Sequence, residues 1–320
     1  MEAQFEKRNY INQQRMMEPK TGVYFSDFIE GVVKKKEKRM KNSYVLNYRT
    51  LLFHINRFSE LNNAELFTNS INEEFLDEFI VYMEERGCKK TYIKNTIDLA
   101  KAMARKAAVY GYAVDISYDD VIVDTEEIPT VYLSQNEIAR IYYFDKLTKK
   151  QQKIRDLFII GCYTALRYSD LNTLNKSNIQ GEFISKITKK SNVKVVIPIH
   201  DFVKEIIEKY NGEFPNGITS QHFNRYLKLI CKKIGLTDTI YITYTKGGKL
   251  ITEKKEKWEL ISSHTARRSG ATNLFKTGRM RVYDIMKITG HSTEKSFIRY
   301  VRTTKEDVAR QISGDEFFRK

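Results

Sequence analysis

Residues 153–199 read KIRDLFIIGCYTALRYSDLNTLNKSNIQGEFISKITKKSNVKVVIPI, and this stretch decides the fold class. Its first part, from about Lys153 to Thr164, is strongly apolar and lacks strand alternation, which predicts a buried helix. Arg167 comes next, just ahead of Ser169-Asp170-Leu171, a new helix start, so its guanidinium stands at a helix junction where backbone donors converge. Two β-rich runs follow, Phe183 to Ile187 and Val193 to Ile199, with Lys189, Lys190, Ser191 and Asn192 as the turn between them. The hairpin thus carries lysines at its tip. The surrounding pattern is helical, so the fold expected is mainly α with a small β component, α+β.

Upstream, a capping box of Ser134 and Glu137 starts a helix through Ile138, Ile141 and Tyr142. Before it, residues 114–130 carry Asp115, Asp119, Asp120, Asp124, Glu126, Glu127 and Pro129, a shift in composition that reads as an acidic linker. The first part of the chain shows helical spacing throughout: Val45, Tyr48, Leu52, Ile55 and Phe58, then Phe75, Phe79, Ile80 and Met83 ahead of Gly87. Ile93, Ile97, Ala100, Ala104 and Ala107 make a third such segment, ending at Gly111. The expected organisation is a polar lead-in at 1–20, a helical domain at 21–113, the linker at 114–130 and a second domain at 131–320. On the third helix Lys90, Lys94, Lys101 and Arg105 align on one face, a stripe suited either to DNA phosphates or simply to solvent.

Downstream, helices resume at Asp201 and Ser220, Gly247-Gly248 marks a second hairpin, and the chain from about residue 263 is helical again. Gly247-Gly248-Lys249 is not a complete phosphate loop, and a hairpin turn explains it. Lys plus Arg number 55 against 40 Asp plus Glu, a net charge of +15, which favours a polyanionic partner, although charge also serves solubility. Cys88, Cys162 and Cys231 stand far apart, which argues against a disulfide framework or a zinc ribbon and fits a reducing cytoplasm. Apolar runs such as Leu157 to Gly161 are far shorter than the roughly 20 residues a membrane helix needs. No signal segment opens the chain, so the expectation is a cytoplasmic, nucleoid-associated protein without a membrane partner.

The chemistry-bearing residues appear in a fixed order: Arg167, Lys190, His264, Arg267, His291 and Tyr300. His264 and Arg267 sit at i and i+3 of a helix and can share one target. Taken singly, each has a plain structural reading: Arg167 an ion pair, His291 a helix cap, Tyr300 packing beside Phe297 and Val301. Their joint order carries the weight. Ala165-Leu166-Arg167-Tyr168-Ser169-Asp170-Leu171, His264-Thr265-Ala266-Arg267-Arg268-Ser269 and Thr289-Gly290-His291-Ser292 with Tyr300 resemble the tyrosine recombinase (phage integrase) family over about residues 130–302. The helical first half resembles that family's SAM-like core-binding domain. Ala165 stands where many members have Gly.

The resemblance implies a site-specific DNA recombinase that cuts and rejoins strands through a 3′-phosphotyrosyl link, without metal, ATP or cofactor. Arg167 and Arg267 correspond to the catalytic arginines, which fit a transferring phosphoryl group because their planar forks bind two oxygens and stay charged. Tyr300 corresponds to the nucleophile; its phenol, with an ordinary pKa of about 10, needs a base, for which His264 is the candidate. Lys190 corresponds to the acid that protonates the leaving 5′ oxygen, with Lys189 and Lys194 close enough to compete for the role. His291 is expected to donate a hydrogen bond to the transition-state phosphate. Arg268 joins Lys90, Lys94, Lys101 and Arg105 as an expected DNA contact.

The partners implied are double-stranded recombination sites, engaged by a homotetramer on two paired sites, with a monomer or weak oligomer away from DNA. Val308, Ile312, Phe317 and Phe318 are placed either to dock on a neighbour or to pack on their own domain. Residues 1–20 are too short for an arm-binding domain, which suggests a compact member or a fragment. Two rivals remain at this point: an inactive DNA-binding accessory protein of the same fold, which would bind sites without forming an adduct, and a type IB topoisomerase, which would relax plasmids lacking any site.

Overall fold

The computed structural model describes residues 21–37, 42–302, 309, 312–313 and 316–318. The lead-in at 1–20 and Val308 lie outside the described residues. The chain divides into two compact units, one running to Ile128 and including Ile242–Glu253, the other holding Pro129–Tyr241 and the chain from Lys254 onward.

Among the described residues of the first unit, α1 (Phe25–Lys36), α2 (Asn42–Asn62), α3 (Glu73–Glu85) and α4 (Lys90–Val109) surround one core. Their apolar periodicity is turned inward: Phe25, Ile29, Leu51, Ile55, Leu76, Phe79, Met83, Ile97 and Ala104 are all buried. Phe58 meets Phe75, Phe79 and Tyr82 edge-on at 5.4, 5.5 and 5.5 Å between ring centroids, the favourable arrangement for aromatic quadrupoles. Asn72 starts α3 by accepting the Phe75 N–H at 2.9 Å. The acidic stretch at 114–130 also contributes to this core, since Tyr118, Val121 and Val123 are buried in it after a 3-10 turn at Ile116–Asp119. Its acidic side chains conceal an apolar alternation, and that alternation is what packs.

The second unit is built around α6 (Lys149–Thr164), which follows α5 (Gln135–Tyr143). Ile154, Leu157, Phe158, Ile159 and Ile160 of α6 are fully buried, so this helix is covered all round, as its apolar sequence requires. Each such side chain contributes roughly 1.5–3 kcal/mol of burial. The Ser134–Glu137 box starts α5, and a matching Thr148–Gln151 box starts α6. After the short α7 (Tyr168–Leu171), strands β1 (Ile179–Gln180), β2 (Phe183–Ile187) and β3 (Lys194–Pro198) form an antiparallel sheet in that order. Ile184 faces Ile197 and Lys186 faces Val195, burying Ile184, Val195 and Ile197 on one side.

Helices α8 (Asp201–Lys209) and α9 (Ser220–Ile234) complete the shell around α6. Strands β4 (Thr239–Lys246) and β5 (Lys249–Glu256) then make the second hairpin. Gly247 and Gly248 take φ of 57° and 68° at its turn, a conformation that glycine adopts without strain. The described residues that follow include α10 (Lys257–Leu260), α11 (Ser263–Lys276), α12 (Val282–Thr289) and α13 (Glu294–Ile298). The fold is mainly α with small antiparallel sheets, as the sequence indicates. None of the described helices is long and apolar enough to cross a membrane.

Candidate active site

One close approach sets the site. A Cβ on Gly270 of α11 would collide with the Cys162 carbonyl oxygen and sit 3.0 Å from Ala165 Cβ; one on Gly161 of α6 would lie 3.1 Å from Ala266 Cβ. Only glycines allow α11 and α6 this contact, and Arg267, on α11, is thereby laid over the end of α6. Ala165 closes α6 in the left-handed region, at φ 51° and ψ 22°. A turn that favours Gly is thus made here by Ala, at a strain of roughly 1–2 kcal/mol. It presents the Ala165 carbonyl to the site.

Arg267 is 1% exposed. Its Nη1 donates to the Ala165 and Thr289 carbonyls at 2.6 and 2.7 Å, and its Nη2 meets His291 Nε2 at 2.8 Å. Its guanidinium carbon lies 5.2 Å from the centre of the Tyr300 ring, and the His291 and Tyr300 rings are 5.0 Å apart. Burial, with the nearby charge of Arg167, lowers the Arg267 pKa to about 10, so it stays charged at neutral pH. Arg167 begins α7 from the turn after Ala165. Its Nη1 and the Arg267 Nε are buried with no hydrogen-bond partner among the described residues.

His264 is exposed one turn before Arg267 on α11. Loss of solvent around its ring, then the positive charges of Arg268, Arg267, Arg167 and Lys190, hold its pKa below the ordinary histidine value. It is neutral at pH 7 and able to accept a proton. The exposed Lys190 stands in the β2–β3 turn, which is closed by the Thr188 N–H donating to the Val193 carbonyl at 3.0 Å. The Lys189 N–H donates to Asp170 Oδ1 at 2.8 Å, tying that turn to α7 beside Arg167. Tyr300 follows α13, half-buried against the small cluster of Ala271, Ile285, Phe297 and Val301.

Five of the six residues are therefore tied together by contacts or mutual fields, from the start of α7, from α11 and from the chain after α12 and after α13, and Lys190 joins them through its field at His264. His291 has partners on both ring nitrogens. Arginine has only donors, so His291 Nε2 must accept from it, and the ring proton then sits on Nδ1, facing Thr289 Oγ1 at 2.7 Å. Burial, then Arg267 and Arg167, push its pKa down to about 3.

The expected DNA contacts divide. Lys101 is buried, with its ammonium donating to the Asp119 carbonyl at 3.2 Å and to the Val121 carbonyl. This corrects its place in the stripe: offsets along α4 were read as a solvent face, but the chain at 119–121 folds over that part of the helix. Arg268 points away from Arg267, its Nη1 donating to the Val131 carbonyl at 2.9 Å, so it secures the start of the second unit. Lys94 pairs with Asp98 at 3.2 Å and Arg105 with Asp119 at 2.8 Å, both on the surface. Glu126, held below the usual carboxylate range by the Thr245 hydroxyl first, also feels Lys90. Thr289 and Gly270 are site residues that sequence reading passed over; the Thr-Gly-His sequence held a signal for the first, but nothing local marked the second.

Comparison with known proteins bears on the family and the fold. The Oceanobacillus iheyensis protein named tyrosine recombinase XerD is 28% identical over 178 residues, 54% of this chain. The chain spans 58% of that relative's length. The fold is shared with the integrase of transposon Tn1549, in a complex with transposon right-end DNA, at a TM-score of 0.68 and 18% identity, covering 90% of this chain and 98% of that one. It is shared also with lambda integrase, in a tetramer bound to a Holliday junction, at a TM-score of 0.62 and 17% identity, covering 84% and 77%. The phage integrase SAM-like domain matches residues 24–121. The phage integrase family itself matches residues 131–307, more than half of the chain, and the chain belongs to that family of tyrosine recombinases.

Proposed function

We propose that this chain is a site-specific DNA recombinase that cleaves and rejoins strands through Tyr300. The observation behind the reading is Arg267: a buried guanidinium hydrogen-bonded to two carbonyls and an imidazole, none of them an anion, with its Nε and the Arg167 Nη1 unpartnered. A buried cation is costly, and the Asp170 carboxylate offsets Arg267 only through its field. A phosphodiester beside Tyr300 would add negative charge in direct contact, and the two forks would bind its non-bridging oxygens as charge builds on them.

In the proposed reaction the Tyr300 oxygen attacks phosphorus, its proton passes to His264, and the bond to the 5′ oxygen breaks as Lys190 protonates that oxygen. The 3′-phosphotyrosyl link keeps the phosphodiester's energy, and a new 5′ hydroxyl reverses the steps. His291 is assigned the task of holding Arg267. The helical domain at 21–113, joined through 114–130 to the catalytic domain at 131–320, is proposed to bind duplex DNA, with Lys90, Lys94 and Arg105 as phosphate contacts. The DNA complexes of the Tn1549 and lambda integrases, the latter a tetramer, support a homotetramer acting on two paired sites.

Nicked duplexes carrying the recombination site test the reading. Wild-type protein is expected to form a detergent-stable covalent adduct, and Tyr300→Phe none. No adduct from the wild type, or an equal one from Tyr300→Phe, overturns the proposal.

A further inference from the structure

Three acceptors fix the guanidinium of Arg267, and two of them depend on one residue. Thr289 gives its own carbonyl to Nη1 at 2.7 Å, and its hydroxyl meets the Nδ1 of His291, whose Nε2 takes Nη2. The hydroxyl's hydrogen is directed to the Ile285 carbonyl at 2.8 Å, which leaves its lone pairs for His291 Nδ1–H. A chain of bonds results, from Arg267 Nη2–H to His291 Nε2, from His291 Nδ1–H to Thr289 Oγ1, and from Thr289 O–H to Ile285. Every link has one allowed direction, because the arginine end can only donate and the carbonyl end can only accept. The rings of Phe297 and Tyr300 also border the imidazole and offer no comparable acceptor for Nδ1–H. Thr289 is fully buried, so water does not replace the hydroxyl.

We propose that Thr289 is a positioning residue for strand cleavage: its hydroxyl fixes the ring of His291 in place and, through it, the orientation of Arg267. The inference rests on the reading that Arg267 acts on the scissile phosphate. Without the hydroxyl, Nδ1–H has no acceptor, and the ring turns out of its place to find one. Nη2 then loses the Nε2 that receives it, and the fork turns away from its place over Tyr300. A tautomer held by a neighbouring acceptor is a recurring requirement of working histidines.

Thr289→Val keeps the shape and removes the hydroxyl; Thr289→Ser keeps the hydroxyl. The ring nitrogens of His291, read by 15N NMR on the selectively labelled full chain, are expected to show a hydrogen-bonded Nδ1–H in the wild type and in Thr289→Ser, and shifts moved by loss of that bond in Thr289→Val. Adduct formation on nicked duplex should fall roughly tenfold to a hundredfold in Thr289→Val, the range seen when the partner of a working histidine is lost, with DNA affinity little changed. Thr289→Ser should restore most of the rate. An Nε2–H tautomer in the wild type, or a Thr289→Val protein with the wild-type ring shifts or rate, overturns the proposal. Should Thr289→Val fail to fold, Thr289→Ala is read in the same way. If the wild type forms no adduct, the functional reading fails, and the NMR result still decides what Thr289 does to His291.

Discussion

Both units of this protein carry clustered positive charge, and they treat it in opposite ways. On α4 of the first unit, Lys94 and Arg105 lie at the surface with carboxylates beside them, Asp98 and Asp119. In the second unit, Arg267 is buried with carbonyls and an imidazole as its partners, beside an Arg167 whose Nη1 has none. Exposed ion pairs exchange readily with water and salt, and their worth is small. A buried cation set keeps its donors fixed and its field unscreened, which is what stabilising charge in a transition state requires. The first arrangement suits grip on any phosphate, whereas the second suits chemistry at one.

The sharpest way to break this contrast is to remove the buried forks. Arg267→Ala or Arg167→Ala should cut adduct formation by on the order of a hundredfold to a thousandfold while leaving DNA binding nearly intact, measured by single-turnover cleavage beside a binding titration. An equal loss of binding would mean that the buried cations grip and do not catalyse. Next in size, Gly270→Ala should force α11 away from α6 and destabilise the second unit by about 1–3 kcal/mol, read by chemical denaturation, with cleavage lost as Arg267 shifts.

His291 supplies a test by pH. Its folded pKa, about 3, lies below the ordinary 6.5, so between those values the unfolded chain binds a proton that the folded chain refuses. Stability contributed by the neutral ring is complete above pH 6.5 and is lost as pH falls toward 3, by about 1.4 kcal/mol per unit at most. Unfolding midpoints across that window should show a slope that shrinks in His291→Asn. The smallest effects belong to the surface stripe: Lys94→Ala and Arg105→Ala should each lower the salt dependence of DNA binding by about one unit of slope. Lys101→Ala should instead lower the stability of the first unit, because its ammonium serves the carbonyls of Asp119 and Val121.

Much of this protein was legible residue by residue. Helical spacing located α2, α3 and α4, the Ser134–Glu137 box located α5, and the lysine turn between Phe183 and Ile199 located the first hairpin, because caps, periodicity and turn chemistry act within a few residues. The order Arg167, His264, Arg267, His291 and Tyr300 pointed to one site for a related reason, since each residue type is tied to a task in phosphoryl chemistry. The stripe on α4 misled at Lys101 because helical offsets say which residues share a face, not what lies over it.

Composition, caps and periodicity, all local properties, were enough to determine the helices, the hairpins and the kinds of side chain available for chemistry. Tertiary structure alone decided that Gly161 and Gly270 let two helices touch, that Ala165 takes a left-handed turn, and that Thr289 and His291 hold Arg267 between them. Those outcomes depend on distances between residues that are remote in the chain, and burial and hydrogen-bond direction are settled only once the chain has closed around them.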